Sequence, residues 1–205
     1  MPSKPESFTF GVTTDTHIPD RVKHLPETIL RTLERTQIDQ ILHAGDAANW
    51  KVFRQLEQIA PVIIVQGNRD GLLGMPFPRH FTFTAHSLKI TPNHGHRSML
   101  NYLIDKWAYS RKGYQFERDY QHLTHDFPDA NMIIIGHTHH QLAKWINDQL
   151  FFNPGAAYPC EYNHYRPEFG ILSVTPEGCI RTEHHKDTLS PESQFNHRSQ
   201  LFQFR

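Results

Sequence analysis

The sequence predicts an α/β domain built on a parallel sheet. Two observations carry this reading. Short apolar runs alternate with segments of helical period through the first half of the chain, and the first three runs each lead into a loop bearing Asp or Gly. The chain has 205 residues, the size of one domain able to bury a core.

The elements follow in order. Phe8 to Thr13 reads as a short strand. Pro26 to Thr36 reads as a helix, because Leu25, Ile29, Leu30 and Leu33 recur at helical spacing and Pro26 suits a first turn. Gln40 to His43 is a short buried strand, and Asn49 to Ala60 is a helix through Val52, Phe53, Leu56 and Ile59. Pro61 to Val65 is β-branched and continuous, which suits a strand covered on both faces. This βαβαβ order implies parallel pairing with crossover helices. Phe81 to Thr84 and Leu88 to Thr91 then read as a hairpin around Ala85-His86-Ser87. Met99 to Ser110 and Tyr114 to His125 read as helices split by Gly113, and Met132 to Ile135 as another buried strand. From Gln141 onward short antiparallel strands are expected at Leu142 to Ile146, Leu150 to Phe152, Phe169 to Val174 and Cys179 to His184. With no internal repeat or low-complexity linker, residues 1–185 read as one domain, and 97–130 as a helical, cap-like insertion within it. Residues 186–205 read as a tail, or as an arm docking on the body or on a second copy in a homodimer.

Composition narrows the function. Lys plus Arg and Asp plus Glu both number 21, so there is no global charge to attract nucleic acid or an anionic membrane. No apolar run approaches the ~20 residues of a membrane span. Met1 to Glu6 leads into no apolar secretory stretch. Two cysteines, Cys160 and Cys179, support neither a disulfide framework nor a thiolate zinc site. A cytoplasmic protein fits these features. The departure from ordinary composition is histidine, with 16 residues. Histidine is the commonest metal ligand and the usual acid or base near neutral pH.

The histidines and carboxylates gather at strand ends. The first strand runs into Asp15-Thr16-His17, the second into Gly45-Asp46 and the third into Gly67-Asn68-Arg69-Asp70. In a parallel sheet these ends share one edge, where ligands bind. Asp15 and His17 are two apart and would point the same way from extended backbone. His94-Gly95-His96 follows the hairpin, and Gly136-His137-Thr138-His139 follows the MIII strand. Mixed imidazole, carboxylate and carboxamide donors suit Mn, Fe, Zn, Ni or Co better than Ca or Mg. They outnumber the needs of one tetrahedral ion and suit two ions about 3.5–4 Å apart, bridged by a carboxylate.

Asp15-x-His17, Gly45-Asp46, Gly67-Asn68-x-Asp70, His94-Gly95-His96 and Gly136-His137-x-His139, in that order, resemble the five blocks of the calcineurin-like metallophosphoesterases. The chain length and Asn153-Pro154-Gly155-Ala156 resemble the family's small prokaryotic phosphodiesterase branch, which shares its fold with a retromer scaffold subunit. The resemblance covers residues 8 to 180. It implies a four-layer α/β/β/α sandwich with a metal site at one edge of two packed mixed sheets. It implies one divalent transition-metal ion on Asp15, His17 and His139, a second on Asn68, His94 and His137, and Asp46 as the bridge. Mn²⁺ stands first among the candidate ions. The implied reaction is phosphodiester hydrolysis of a small phosphorylated substrate by a metal-bridging hydroxide.

One block departs from the family. Many members carry His where Arg69 stands, and that His protonates the leaving group. Arginine is a poor proton donor, but its planar fork suits phosphate. The catalytic set is therefore read as Arg69, Asp70 and His96, with His96 or a water as the acid. Asp70 is expected to brace Asn68 or the loop backbone rather than touch metal. His43 reads as structural, and Asn153-Pro154-Gly155 as a turn packed behind the metal loops. The 97–130 insertion reads as solvated helices or as a cap, with Arg97, Arg111 or Arg166 meeting phosphate. A phosphomonoesterase, a nucleotide pyrophosphohydrolase and a non-catalytic metal-binding scaffold are alternatives. A nuclease fits the charge balance less well.

Overall fold

The computed structural model describes residues 7–96, 116–187 and 196–203. The helix expected at Met99 to Ser110, and residues 97–115 of the expected cap, lie outside the described residues. Among the described residues the strands form two sheets. The first sheet contains β1 (Phe8–Thr13), β2 (Gln40–His43), β3 (Val62–Ile64), β9 (Glu168–Val174), β10 (Cys179–Lys186) and β11 (Asn196–Gln203). Its order is β11-β10-β9-β1-β2-β3. The second contains β4 (Phe83–Ala85), β5 (Leu88–Pro92), β6 (Met132–Ile134), β7 (Leu142–Ile146) and β8 (Gln149–Asn153), in the order β4-β5-β6-β8-β7. β1, β2 and β3 pair in parallel, as the βαβαβ pattern requires.

Two helices form between the parallel strands because their apolar residues fall on one stripe. Helix α1 (Glu27–Arg35) buries Ile29 and Leu33, and helix α2 (Trp50–Glu57) buries Val52 and Leu56. The Asn49 side chain starts α2 by accepting from the Lys51 N–H at 2.9 Å. Both stripes pack with Ile41, Ile64 and Ile171 on the outer face of the first sheet. Alternation along the strands sends the other face inward. There Phe10, Val12, Leu42 and Leu172 meet Ile90, Met132, Ile134, Leu150 and Phe152 of the second sheet. The opposite set, Ile133 and Phe151, faces outward beneath Phe116, Tyr120 and Leu123 of α4 (Phe116–Asp126). These three clusters define four layers, α/β/β/α. Each buried Leu, Ile or Phe contributes about 1.5–3 kcal/mol of transfer free energy, so the helix-side and inter-sheet clusters together carry most of the packing.

Two features differ from the sequence reading. β8 is antiparallel to β7 but parallel to β6, so the second sheet is mixed, as the family resemblance implies, whereas the strand pattern from Gln141 onward predicts antiparallel pairing throughout. β3 lies at the edge of its sheet and is covered only in part: Val62 and Ile64 face the helices, Ile63 faces the second sheet. The chain end adds β11 along β10 from Lys186↔Asn196 to Cys179↔Gln203, and Phe202 packs on Trp145 with ring centroids 6.0 Å apart. Two short elements were not expected. One is α3 (Asn68–Leu72), and the other is a 3-10 turn at Glu161–Asn163. Neither is long enough to show an apolar period. Among the described residues no helix is long and apolar enough to cross a membrane.

Candidate metal centre

Five loops converge at one edge of the sandwich. Three follow β1, β2 and β3, and two follow β5 and β6. The backbone there is not extended. Asp15, His17, Asp46, His137 and His139 all have left-handed φ, at 51°, 48°, 58°, 71° and 60°. Two-residue alternation therefore does not align Asp15 with His17, or His137 with His139, as the sequence reading supposed. Tight loop curvature does. Such backbone costs of order 1–2 kcal/mol per residue and needs tertiary support. The Asp15 N–H donates to the Gly45 carbonyl at 2.9 Å and the His17 N–H to the Asp46 carbonyl at 3.0 Å. The His137 N–H donates to Asp15 Oδ2 at 3.0 Å. Two glycines permit the approach. A Cβ on Gly67 would lie 2.0 Å from Asp46 Oδ1, and one on Gly136 would lie 2.1 Å from Thr14 Oγ1.

The side chains meet in two overlapping groups. Asp15, His17 and His139 bring donor atoms within 4.8 Å of one another, and so do Asp15, Asp46 and His94. Asp15 Oδ1 lies 3.2 Å from His139 Nε2 and 3.7 Å from His17 Nε2. Asp46 Oδ2 lies 3.7 Å from His17 Nε2 and 3.5 Å from His94 Nε2. Asn68 Oδ1 is 3.1 Å from both His94 Nε2 and His137 Nδ1. All seven residues read as ligands from the sequence are thus brought together.

The electrostatics favour a cation here. Asp15 and Asp46 are almost wholly buried, and Asp15 Oδ1 accepts no well-aligned hydrogen bond from the described residues. Buried carboxylates without counter-charge are costly. Burial opposes the charged form of His94, yet Asp46 and Asp15 hold its pKa up at about 9. Burial likewise opposes charge on His139, and Asp15 holds it up at about 10. Burial pushes Asp15 upward, but His139 and His94 overcome it and hold the carboxyl below its usual range. His137 is pushed down to about 3 by burial and by His94, which leaves a neutral imidazole suited to coordination. The orphaned carboxylate oxygen and the mixed N/O donors fit one or more divalent transition-metal ions.

Asp70 binds backbone. Its Oδ2 accepts from the N–H groups of Asp46 at 2.8 Å and Gly67 at 2.9 Å, and its Oδ1 from Ala48 at 2.7 Å. Arg69 donates its own N–H to Asp46 Oδ1 at 2.7 Å, while its guanidinium pairs with Asp20 at the rim. That pairing pushes the Arg69 pKa up. The His96 ring lies 5.3 Å from His94, and its buried Nδ1 has no hydrogen-bond partner among the described residues. Burial pushes His96 down to about 4, with His94 adding to the shift. His43 accepts at Nδ1 from the Gly45 N–H at 3.2 Å and faces Thr16 Oγ1 through Nε2 at 3.3 Å. Asn153 Nδ2 donates to the Gly136 carbonyl at 3.0 Å, behind the last metal loop.

Three supporting residues were not read from the sequence. Tyr120 OH lies 3.0 Å from the Gly136 carbonyl and 2.9 Å from Thr138 Oγ1. Thr14 Oγ1 donates to Asp15 Oδ2 at 2.9 Å. Tyr158 flanks His17 and His139 edge-on, with centroids 5.1 and 5.6 Å away. The short Asp-, Asn- and His-bearing blocks at the strand ends mark the ligands, but nothing local marks a tyrosine that reaches them from a distant helix or turn.

Fold and site together define an α/β/β/α protein with a buried carboxylate–histidine cluster at the sheet edge that could hold a metal ion. The family model for the calcineurin-like phosphoesterase superfamily domain matches residues 8–177. A probable metallophosphoesterase of Methanothermobacter thermautotrophicus is 34% identical over 146 residues, covering 71% of this chain and 75% of its own. A phosphodiesterase of Methanocaldococcus jannaschii is 25% identical over 180 residues, covering 80% and 92%. Vacuolar protein sorting 29 of Cryptosporidium parvum superposes with a TM-score of 0.75 at 19% identity, covering 97% and 100%, a likeness of fold. The chain belongs to the calcineurin-like phosphoesterase superfamily.

Proposed function

We propose that the protein is a phosphodiesterase that works with two divalent transition-metal ions. The observation that carries this reading is Asp46 Oδ2, which faces His17 Nε2 at 3.7 Å and His94 Nε2 at 3.5 Å, between the two donor groups. One ion is assigned to Asp15, His17 and His139, the other to Asn68, His94 and His137, with Asp46 shared. Bound there, the ions would lower the pKa of a shared water and hold charge on the phosphoryl oxygens. The chain's own groups do the rest. Asp70 fixes the loop that presents Asp46. Arg69, anchored by Asp20, offers its remaining guanidinium N–H groups to a phosphate oxygen. His96 is assigned as the proton donor to a leaving oxygen, with a water as the alternative, because burial holds its pKa down at about 4 and keeps the ring mostly neutral near pH 7. The phosphodiesterase name of the Methanocaldococcus relative supports the diester over the monoester.

The test is a joint measurement of metal content and hydrolysis on protein purified without chelator. The reading expects about two metals per chain. It also expects bis(p-nitrophenyl) phosphate turned over faster than p-nitrophenyl phosphate with Mn²⁺, and loss of both activities on chelation. Preference for the monoester would favour a phosphomonoesterase, and for a nucleoside diphosphate a pyrophosphohydrolase. Bound metal without turnover of any ester would favour the scaffold.

A further inference from the structure

A cavity of about 600 Å³ opens beside the metal centre. That is within the range of sites that enclose a small-molecule ligand, roughly 300–1,000 Å³. His96 forms the boundary: it lines the cavity, and its ring lies 5.3 Å from His94 and 6.2 Å from His137. The chain ahead of β4 supplies Arg79 and His80, pinned by the His80↔Asn93 bridge. Helix α4 supplies Asp126 just before Phe127 at its end.

The lining is chemically specific. Among the described residues no ion pair engages the Arg79 guanidinium, and the residue is exposed. A free guanidinium fork in a cavity matches phosphate bidentately. Phe127 and His80 stand edge to face with centroids 4.9 Å apart, a partly apolar platform for a planar ring. Asp126 is an acceptor for hydroxyl or amino groups. A cation, an aromatic platform and a carboxylate acceptor match the phosphate, base and sugar hydroxyls of a nucleotide. A simple alkyl ester would use none of them.

We propose that this cavity binds one ester arm of the substrate, that the arm is a nucleotide carrying a phosphate of its own, and that Arg79 is the specificity-determining residue. The inference rests on the phosphodiesterase reading for its catalytic half, while binding tests it separately.

The experiment compares metal-loaded wild type with Arg79→Gln. Calorimetric titrations use adenosine 3′,5′-bisphosphate and inorganic phosphate as probes. Steady-state assays use the 5′-phosphorylated dinucleotide pApA and its unphosphorylated counterpart ApA. Arg79→Gln is expected to weaken bisphosphate binding about tenfold more than phosphate binding, as loss of one charge-assisted pair implies. It is expected to erode the kcat/KM preference for pApA over ApA by a similar factor. Equal effects on both probes, or none, would overturn the cavity assignment, and continued diester hydrolysis would leave the phosphodiesterase reading intact. If the wild type hydrolyses no diester, that reading falls. A selective loss of bisphosphate binding in Arg79→Gln would then still support the cavity as a nucleotide site.

Discussion

The carboxylate of Asp70 holds the backbone of Asp46: its Oδ2 accepts from the Asp46 N–H at 2.8 Å. The same carboxylate also takes the N–H groups of Gly67 and Ala48, so one side chain ties the loop after β2 to the loop after β3. Asp46 has φ of 58°, a conformation that this tie helps to hold. Asp70→Asn keeps the shape but turns an amide donor toward backbone donors. It should destabilise the fold by about 2–3 kcal/mol, read as a lower urea midpoint at unchanged m. Mn²⁺ affinity should fall with it, and unchanged stability and affinity would count against the bracing role.

Metal removal should expose how much of the edge depends on a cation. Asp15 and Asp46 would then face only imidazoles that must hold protons to balance them. Adding Mn²⁺ to the stripped protein should raise Tm with concentration, by about 2.7 kcal/mol of stability at a hundredfold excess over Kd. His139→Ala should abolish most of that gain. A Tm indifferent to metal would contradict a resident ion.

Leaving-group chemistry should follow the Arg69 substitution. Nitrophenyl diesters leave without a proton and should turn over faster than alkyl diesters. His96→Asn should slow alkyl diesters by about a hundredfold or more and nitrophenyl diesters much less. Equal slowing of both would remove His96 as the acid and point to water.

Stability should also change with pH through Glu168. Burial pushes its carboxyl from an ordinary 4.5 to about 7, although Lys186 Nζ lies 2.8 Å from Oε1 and pulls the other way. The folded state therefore keeps a proton that the unfolded chain has released. Stability should fall as pH rises from about 4.5 through 7, by on the order of 2–3 kcal/mol. Glu168→Gln should flatten that slope, and denaturant titrations at pH 5 and pH 8 read it. An unchanged slope would show that Glu168 does not control it.

Much of this was legible in the chain. Val52 and Leu56 repeat at helical spacing, and the βαβαβ run needs parallel strands, so α2 and the first sheet follow from pattern alone. The metal ligands were legible because each sits in a short block at a strand end. Their geometry was not. Asp15 and His17 converge through left-handed backbone, which spacing cannot distinguish from extended strand. α3, with sequence Asn68-Arg69-Asp70-Gly71-Leu72, is one polar turn and carries no period. The supports from Tyr120 and Tyr158 come from tertiary contact alone. The pairing of β8 with β6 is likewise a long-range choice, made by where Phe151 and Phe152 find cover.

The central claim is a two-ion centre sharing Asp46. The most direct measurement is anomalous diffraction from crystals grown with Mn²⁺. A two-ion centre would give two peaks about 3.5–4 Å apart, both within coordinating distance of the Asp46 carboxylate. A single peak, or peaks that leave Asp46 without a metal, would contradict it.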